Sequence, residues 1–404
     1  MKRSVLAVVL GVFLGVTLAG CESPEAKKGR HFEKGNEYFE QSRYKEAIIE
    51  YRNVVQIDPQ FTDAHYKLAL AYLNDRKLRD AFAELSKVAE LDPKHYDAQI
   101  KLGELYLFSR DFVNAKEKAM LVLSDNPENI EAHLLLGNAY VGEKDLNEGI
   151  KEIKNAISLD PKRISSYLNL GNVYLLKKDM ISAEANFKKA LSLDADSIHA
   201  HLTLANFYKV QQKIPEAEKI YLAAIKLAPR DLKPYVSLGD FYASQGKADE
   251  AIKEYEKALK IDPDLIAVKA KIAELYFSQN KYEDVARVVE QILEKNPANL
   301  EGIFLRGKLH LAKKEINEAI GDFQKILKEK PQFVIGHYYL AMAYLVNNDV
   351  NLAKTELSEA LKHHEDFAKA RLLLADLHLR SRDFDFAIEE SQKVLKLVPE
   401  NVQA

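Results

Sequence analysis

The sequence predicts an all-α solenoid made of eleven consecutive helix–turn–helix units, and three regularities in the chain lead to this prediction. Proline recurs in a register of 34 residues, a Gly or Ala recurs in the same register, and two apolar stripes with helical spacing lie between successive prolines. A period of this length is typical of helical hairpins that stack on one another. The composition agrees, because 47% apolar and 29% charged residues are enough for a continuous core beneath a charged surface.

The prolines define the repeat. Nine of them are separated by 34 or 68 residues: Pro59, Pro93, Pro127, Pro161, Pro229, Pro263, Pro297, Pro331 and Pro399. We number the repeat so that these prolines occupy position 32, and eleven repeats then fill residues 28–401 without an insertion. Ala195 and Glu365 occupy position 32 in the two repeats that have no proline there. Since proline cannot continue a helix, we expect it to mark the end of the second helix in each repeat.

Other positions specify the two helices. Position 8 is Gly or Ala in all eleven repeats, where a side chain larger than a methyl group would hold the helices apart, and position 11 is Tyr in nine. Mainly apolar residues at positions 4, 7, 8 and 11, and again at 17, 20, 24 and 27, give each helix an apolar stripe. This pattern resembles the tetratricopeptide repeat (TPR) family over residues 28–401. The resemblance implies antiparallel helix pairs in a right-handed superhelix, with a concave inner face formed by positions 2, 5, 6, 9, 12 and 13 of the first helices.

Residues 1–20 have the features of a secretory signal peptide. Lys2 and Arg3 precede an apolar run over residues 5–18, and these 14 residues are fewer than the roughly 20 that a membrane-spanning helix needs. The run leads to Leu18-Ala19-Gly20-Cys21, which resembles the lipobox of bacterial lipoproteins.

The lipobox resemblance implies that the signal is cleaved before Cys21 and that Cys21 carries acyl chains such as palmitate. Each buried CH₂ contributes roughly 0.8 kcal/mol, so several chains hold a protein firmly on a membrane. We therefore expect a lipid-anchored protein on the periplasmic side of a bacterial cell envelope, with residues 21–27 as a short linker before the first repeat. Glu22 follows the cysteine, and the lack of Asp at this position favours the outer membrane over the inner membrane.

The sequence offers little for catalysis or for a cofactor. The one cysteine is expected to carry lipid, and the repeats occupy the residues that a catalytic domain would need, so we expect no enzyme. A net charge of −3 and a pI near 6.4 argue against nucleic-acid binding. We also expect no cofactor apart from the covalent lipid on Cys21. Histidine recurs at position 4, where the family often has a large aromatic residue, and we expect it to pack there rather than to bind metal: His31, His65, His133, His201 and His337.

The inner face of repeats four to six is nearly uncharged, which makes it the candidate partner-binding surface. We predict contacts from Leu134, Asn138, Leu168, Asn169, Asn172, Leu175, Leu202 and Asn206. An asparagine amide both donates and accepts, so it can pair with the backbone of an extended peptide of any sequence. The arrangement resembles the asparagine ladder of the glycosyltransferase TPR arm. Asparagine and large apolar residues are also common at these positions in ordinary TPR proteins, so a purely structural role stays open.

These features predict a membrane-tethered scaffold for protein–protein interaction, acting as an assembly factor for an envelope or export complex. The alternative is a polysaccharide-export or exosortase-associated component that contacts glycan, which exposed aromatic clusters on the inner face would favour. A second interaction surface is expected at the C-terminal edge, although a frayed final helix that nothing touches is the alternative. Position 19 is polar in the first nine repeats and becomes Leu352 and Phe386, position 31 is Val398, and Leu395 and Leu397 add apolar surface at the same end. Because the end of a repeat array needs a polar cap, this edge is predicted to pair with a second copy or to dock a partner.

Overall fold

The structure is a computed structural model that describes residues 23–401, and this range contains twenty-two α-helices and no β-strand. The predicted all-α fold class is therefore confirmed. The chain divides into two compact units, residues 1–204 and residues 205–404, which are described separately below. The predicted signal peptide, Cys21 and the tail 402–404 lie outside the described residues.

Each repeat contributes two consecutive helices. The first unit contains α1 (Pro24–Glu40), α2 (Tyr44–Ile57), α3 (Thr62–Asn74), α4 (Leu78–Leu91), α5 (Tyr96–Phe108), α6 (Phe112–Asp125), α7 (Ile130–Gly142), α8 (Leu146–Leu159), α9 (Ile164–Leu176) and α10 (Met180–Leu193). Helix α11 (Ile198–Val210) contains the boundary. The second unit continues with α12 (Ile214–Leu227), α13 (Leu232–Ser244), α14 (Ala248–Ile261), α15 (Ile266–Ser278), α16 (Tyr282–Lys295), α17 (Leu300–Ala312), α18 (Ile316–Glu329), α19 (Val334–Val346), α20 (Val350–His363), α21 (Ala368–Arg380) and α22 (Phe384–Leu397).

Helix α1 begins earlier than the repeat pattern predicts. It starts at Pro24, so residues 24–27, which we expected to be linker, form its first turn. Ser23 caps this helix, because its side-chain oxygen accepts a hydrogen bond from the backbone N–H of Ala26 at 3.1 Å. Proline is well placed at the first helical position, where its missing N–H breaks no helical hydrogen bond.

The outer face of α1 also differs from its counterparts. In repeats two to eleven, positions 3, 7 and 10 of the first helix are mostly buried apolar residues, as at Ala64 and Leu68, and they pack towards the preceding repeat. In repeat one the same positions hold Arg30, Lys34 and Glu37, and all three are exposed. This end of the first unit therefore has a charged surface where the later repeats have a mainly apolar one.

The core is divided among the junctions between neighbouring helices. One cluster in the first unit joins Tyr51 of α2 to Leu68 and Ala71 of α3, and one in the second unit joins Tyr255 of α14 to Ile272 of α15. Each repeat is thus stabilised by its immediate neighbours, as expected for a repeat array. Within residues 23–401, no helix has both the length and the apolar character that crossing a membrane requires.

Position 15 forms the turn between the two helices of a repeat, and its backbone is left-handed in all eleven repeats. The φ angles lie between 55° and 72°. One of these residues is Gly246, and the other ten are Ser42, Arg76, Arg110, Lys144, Lys178, Gln212, Asn280, Lys314, Asn348 and Arg382. This conformation costs a non-glycine residue roughly 1–2 kcal/mol, so the packing of the two flanking helices must hold the turn.

Position 8 on the first helix packs against position 24 on the second. Four repeats combine glycine at position 8 with an aromatic ring at position 24: Gly35 with Tyr51, Gly171 with Phe187, Gly239 with Tyr255, and Gly307 with Phe323. A methyl group on Gly171 would lie 2.5 Å from Cε1 of Phe187, far inside van der Waals contact. We predicted that position 8 tolerates a side chain as large as a methyl group. In these four repeats the ring at position 24 leaves space only for the hydrogen of glycine.

Side chains at position 4 tie consecutive repeats together. Seven of them hydrogen-bond the backbone carbonyl at position 32 of the preceding repeat, at 2.8–3.2 Å: His65, Gln99, His133, Tyr167, Tyr235, His337 and Arg371. The bond satisfies a carbonyl in the turn that follows the second helix. The prediction that histidine simply packs here like an aromatic side chain missed this polar role.

Four of the histidines also pair with a glutamate at position 23 of their own repeat. The Nδ1–Oε2 distances are 2.5 Å for His31–Glu50, 2.5 Å for His65–Glu84, 2.7 Å for His133–Glu152 and 2.6 Å for His337–Glu356. The two ring nitrogens of His65 face two hydrogen-bond acceptors, the carboxylate of Glu84 and the backbone carbonyl of Pro59. Only an imidazole that is protonated on both nitrogens can donate to both acceptors. The hydrogen bond to Glu84 raises the pKa of His65, although burial acts in the opposite direction. The hydrogen bond to Glu356 raises the pKa of His337 in the same way.

The contact between positions 8 and 24 predicts a specific stability effect. Gly171→Ala should lower the free energy of unfolding by about 1–3 kcal/mol, because the added methyl group overpacks against the ring of Phe187. Adding Phe187→Leu recreates the Ala69–Leu85 combination of repeat two, so the double variant should lose less than the sum of the two single variants. Urea unfolding followed by circular dichroism measures all three. Strictly additive losses would contradict the proposed contact.

The paired histidines predict a pH dependence of stability. Because the folded pKa values of His65 and His337 are raised, their stabilisation is complete below the ordinary pKa of about 6.5 and is lost as the pH rises through the folded values. The free energy of unfolding should therefore fall across this window. Urea unfolding measured at several pH values should show a clearly smaller fall of the free energy of unfolding in a Glu84→Gln/Glu356→Gln variant. If the free energy of unfolding of that variant falls as steeply with pH as that of the wild type, these pairs do not cause the pH dependence.

Candidate functional site

Two asparagine amides on the inner face of repeats four and five make no hydrogen bond to any described residue. They are Asn138 on α7 and Asn172 on α9, both at position 9 of their repeats. The side chain of Asn172 is exposed, and that of Asn138 is half-buried. Each amide thus keeps its donor and its acceptor available near the surface, which suits it to an incoming peptide backbone.

Position 9 has a structural role in other repeats. There it accepts a hydrogen bond from a tyrosine hydroxyl at position 24, at 2.8 Å for Tyr51–Asn36, 2.6 Å for Tyr221–Asn206 and 2.6 Å for Tyr255–Asp240. Repeats four and five have Ile153 and Phe187 at position 24, and neither has a hydroxyl group. Asn206, which we predicted to contact a partner, is therefore engaged by Tyr221. It also belongs to the second unit, whereas the other seven predicted residues lie in the first.

Two of the predicted contact residues belong to the core. Leu134 is 8% exposed and Leu168 is 3% exposed. Leu134 clusters with Ile153 and Leu170, between the two helices of its repeat and the next repeat. The prediction that Leu134 and Leu168 contact a partner directly is therefore corrected, because their side chains are buried beneath the inner face.

The remaining predicted residues lie at the surface of the same face. Asn169, Leu175 and Leu202 are all half-buried. The structure adds two residues that the sequence analysis missed, Phe108 and Leu176 at position 13, which are 75% and 62% exposed. Position 13 was already assigned to the inner face, so large apolar residues there were the available signal.

The charge at the edge of this surface is neutralised. Glu131 at position 2 of repeat four pairs with Arg163, whose Nη1 lies 2.7 Å from its Oε1. Burial raises the pKa of Glu131, but the hydrogen bond and the charge of Arg163 outweigh it and hold the pKa below its ordinary value. The carboxylate stays ionised beside its partner, so the inner face of repeats four and five has no unbalanced charge.

In the second unit, the inner face of repeat ten is also uncharged, which the sequence analysis overlooked. Its residues are Ile335, Tyr338, Tyr339, Met342, Leu345 and Val346. The ring of Tyr339 meets that of Phe304 edge-on, with centroids 5.3 Å apart, and Tyr338 meets Phe367 at 5.4 Å. These rings pack against one another and are at most half-exposed, so they give little support to the predicted alternative of glycan stacking.

The histidines at position 4 use their nitrogens within the protein. Four of them pair with the glutamates at position 23 described above, and Nδ1 of His201 lies 3.0 Å from the backbone carbonyl oxygen of Ser197. In the part of the chain that the structure describes, no three His, Cys, Asp or Glu side chains come together in a way that could hold a metal ion.

The C-terminal edge has an exposed apolar surface at the predicted positions. The exposed fractions are 49% for Leu352, 59% for Phe386, 38% for Leu395, 39% for Leu397 and 43% for Val398. The hypothesis that this edge binds a second copy or a partner stays a prediction.

Family models of tetratricopeptide repeats match most of this chain. A family model described as TPR repeat matches residues 35–75, and models described as tetratricopeptide repeat match 62–95, 130–163, 164–197, 202–266, 242–303 and 338–402. A search of curated protein sequences finds no match.

Several solved structures are similar. Yeast Tom70 is 16% identical, with a TM-score of 0.53 over 94% of each chain. MamA from Desulfovibrio magneticus RS-1 is 24% identical, with a TM-score of 0.39 over 42% of this chain and 96% of that one. A chain of the APC/C hetero-tetramer Cut9–Hcn1 is 14% identical, with a TM-score of 0.44 over 94% of this chain and 96% of that one. At such identities the likeness concerns the fold alone, but the family models together match more than half of the sequence, and the chain belongs to the tetratricopeptide repeat family.

Proposed function

We propose that this protein is a lipid-anchored scaffold of the bacterial cell envelope that binds an extended segment of a partner protein on the inner face of repeats four and five. The TPR fold favours a protein-interaction role over catalysis. Such a scaffold would act as an assembly factor for an envelope or export complex.

The observation that carries this proposal is the pair of unpartnered amides at Asn138 and Asn172. Both amides can be reached by solvent, so the backbone of a partner can take the place of the water that completes their hydrogen bonds. An extended backbone presents a donor and an acceptor at every residue, so two amides on consecutive first helices can hold such a segment irrespective of its sequence.

Apolar side chains around the amides supply contacts for the side chains of the partner. Leu175 and Leu176 follow Asn172 on α9, and Phe108 lies at the end of α5. Helix α7 contacts α5 directly and is joined to α9 through α8, which packs against both, so the three first helices are held beside one another. Because Arg163 neutralises Glu131, the surface favours an uncharged stretch of the partner over a strongly acidic or basic one.

The membrane anchor completes the proposal. Cys21 would carry the lipid, and α1 begins at Pro24. At about 3.5 Å per residue, the start of α1 then lies within about 10 Å of the lipidated cysteine. The first repeats would stay close to the membrane, on the periplasmic side and with the outer membrane favoured.

Charge placed beside the amides should weaken binding. In a native envelope, a photo-crosslinker at Leu176 should capture the partner, which mass spectrometry then identifies. Asn138→Asp/Asn172→Asp removes both amide donors and adds two negative charges, so affinity for that partner should fall at least tenfold, or about 1.4 kcal/mol. Asn147→Asp is the matched control, because Asn147 lies outside the inner face and its Oδ1 already accepts from Lys177 at 3.0 Å. Unchanged capture by the double variant would place the site elsewhere.

The lipid anchor is tested separately. Metabolic labelling with palmitate should mark the wild-type protein and the Ser23→Ala control, and Cys21→Ala should abolish the label. Mass spectrometry of the mature N-terminus should then find acyl chains on Cys21. Label in the Cys21→Ala variant, or none in the wild type, would refute the anchor without affecting the binding surface.

A further inference from the structure

A hollow of about 620 Å³ opens on the inner face of the second unit, between α13, α15 and the first turn of α17. Its floor is made of Ala243, Ala267 and Ala270, at positions 12, 2 and 5 of their repeats. Position 5 is alanine only in repeat eight and position 12 only in repeat seven, and the ten other residues at each position are larger. The hollow therefore exists because two large side chains of the usual pattern are missing side by side.

The edge of the hollow is acidic. Asp240 accepts hydrogen bonds from the hydroxyl of Tyr255 at 2.6 Å and from the ammonium of Lys271 at 2.5 Å. Glu274 is paired with the ammonium of Lys308, which lies 2.6 Å from its Oε2.

Glu301 is the third carboxylate, and it has no ion pair or hydrogen-bond partner among residues 23–401. Even when Lys271 and Lys308 are counted, the carboxylates around the hollow outnumber the ammonium groups. The negative charge that remains lies at the start of α17, beside the alanine floor.

We propose that this hollow binds a basic side chain, arginine or lysine, of an extended partner segment. The aliphatic stem of such a residue would lie on the alanine floor while its cation reaches Glu301, as long basic side chains do when they cross apolar surface. An acidic residue would meet repulsion from the edge, and a large aliphatic residue would bury Glu301 without a partner. This inference rests on the proposed function for the idea of an extended partner, but it assigns a separate site with its own specificity.

The test uses two probe peptides of equal shape, acetyl-Ala-Ala-Arg-Ala-Ala-amide and its citrulline counterpart, which lacks the charge. Binding to the full chain is followed by the NMR signals of the methyl groups of Ala243, Ala267 and Ala270. We expect saturable shifts of these methyls, with the arginine peptide binding about threefold or more tightly at low ionic strength. Equal affinity for the two peptides, or no shift of these methyls, would overturn the proposal.

Two variants separate the floor from the charge. Ala270→Leu fills the hollow with the residue that position 5 has in repeats four, five, six and eleven, so the fold should tolerate it, and it should abolish binding of both peptides. Glu301→Gln should reduce the arginine peptide to the affinity of the citrulline peptide. Glu283→Gln is the matched control, because it removes the same charge from α16 outside the hollow and should leave the preference intact. Loss of the preference in that control, or its survival in Glu301→Gln, would also overturn the proposal.

These outcomes are independent of the surface on repeats four and five. If the peptides fail here while Asn138→Asp/Asn172→Asp still weakens partner capture, the further inference falls and the proposed function stands. If the peptides bind here as expected and Asn138→Asp/Asn172→Asp does not weaken partner capture, the binding site would lie in the second unit.

Discussion

The contact between the side chain at position 4 and the carbonyl at position 32 of the preceding repeat holds the backbone of this array in register. The core clusters join neighbouring repeats through apolar contacts. Such contacts set the distance between two helices but are not directional, so they fix the relative orientation of the helices less well. A hydrogen bond has a preferred geometry, so at the seven junctions that have this bond it fixes where the first helix begins relative to the turn before it. Repeats four and five are among them, so the bonds of His133 and Tyr167 help to set the orientation of the helices that carry Asn138 and Asn172.

The sequence predicted the repeat well because its strongest signals are steric. Proline at position 32 and glycine or alanine at position 8 exclude other structures locally, and they can be recognised without knowing any contact. Position 4 was harder, because His65, Gln99, Tyr167 and Arg371 share neither size nor charge, and the ability to donate a hydrogen bond is their common property. The left-handed turn at position 15 had only a weak local signal, since Gly246, Asn280 and Asn348 favour this conformation whereas helix packing imposes it on residues such as Arg110.

The candidate site shows where sequence reasoning fails. Asn172 and Asn206 occupy the same position and have the same chemistry, yet Asn206 is engaged by Tyr221 while Asn172 faces Phe187. The deciding residue lies fifteen positions away, on the other helix of the repeat, so the role of the amide depends on a pair and cannot be inferred from the asparagine alone. Leu134 was misjudged for a related reason, because its spacing on the helix is compatible with both the core and the inner face.

The charged outer face of α1 restricts how copies of this chain can associate. If two copies stacked end to end in the way that repeats stack within one chain, Arg30, Lys34 and Glu37 would be pressed against the apolar surface of repeat eleven that contains Ile388 and Leu395. Burying three charges against aliphatic and aromatic carbon is strongly unfavourable. This head-to-tail stacking is therefore disfavoured, and self-association through repeat eleven would favour an isologous contact, with the same edge on both copies and a closed twofold dimer as the result.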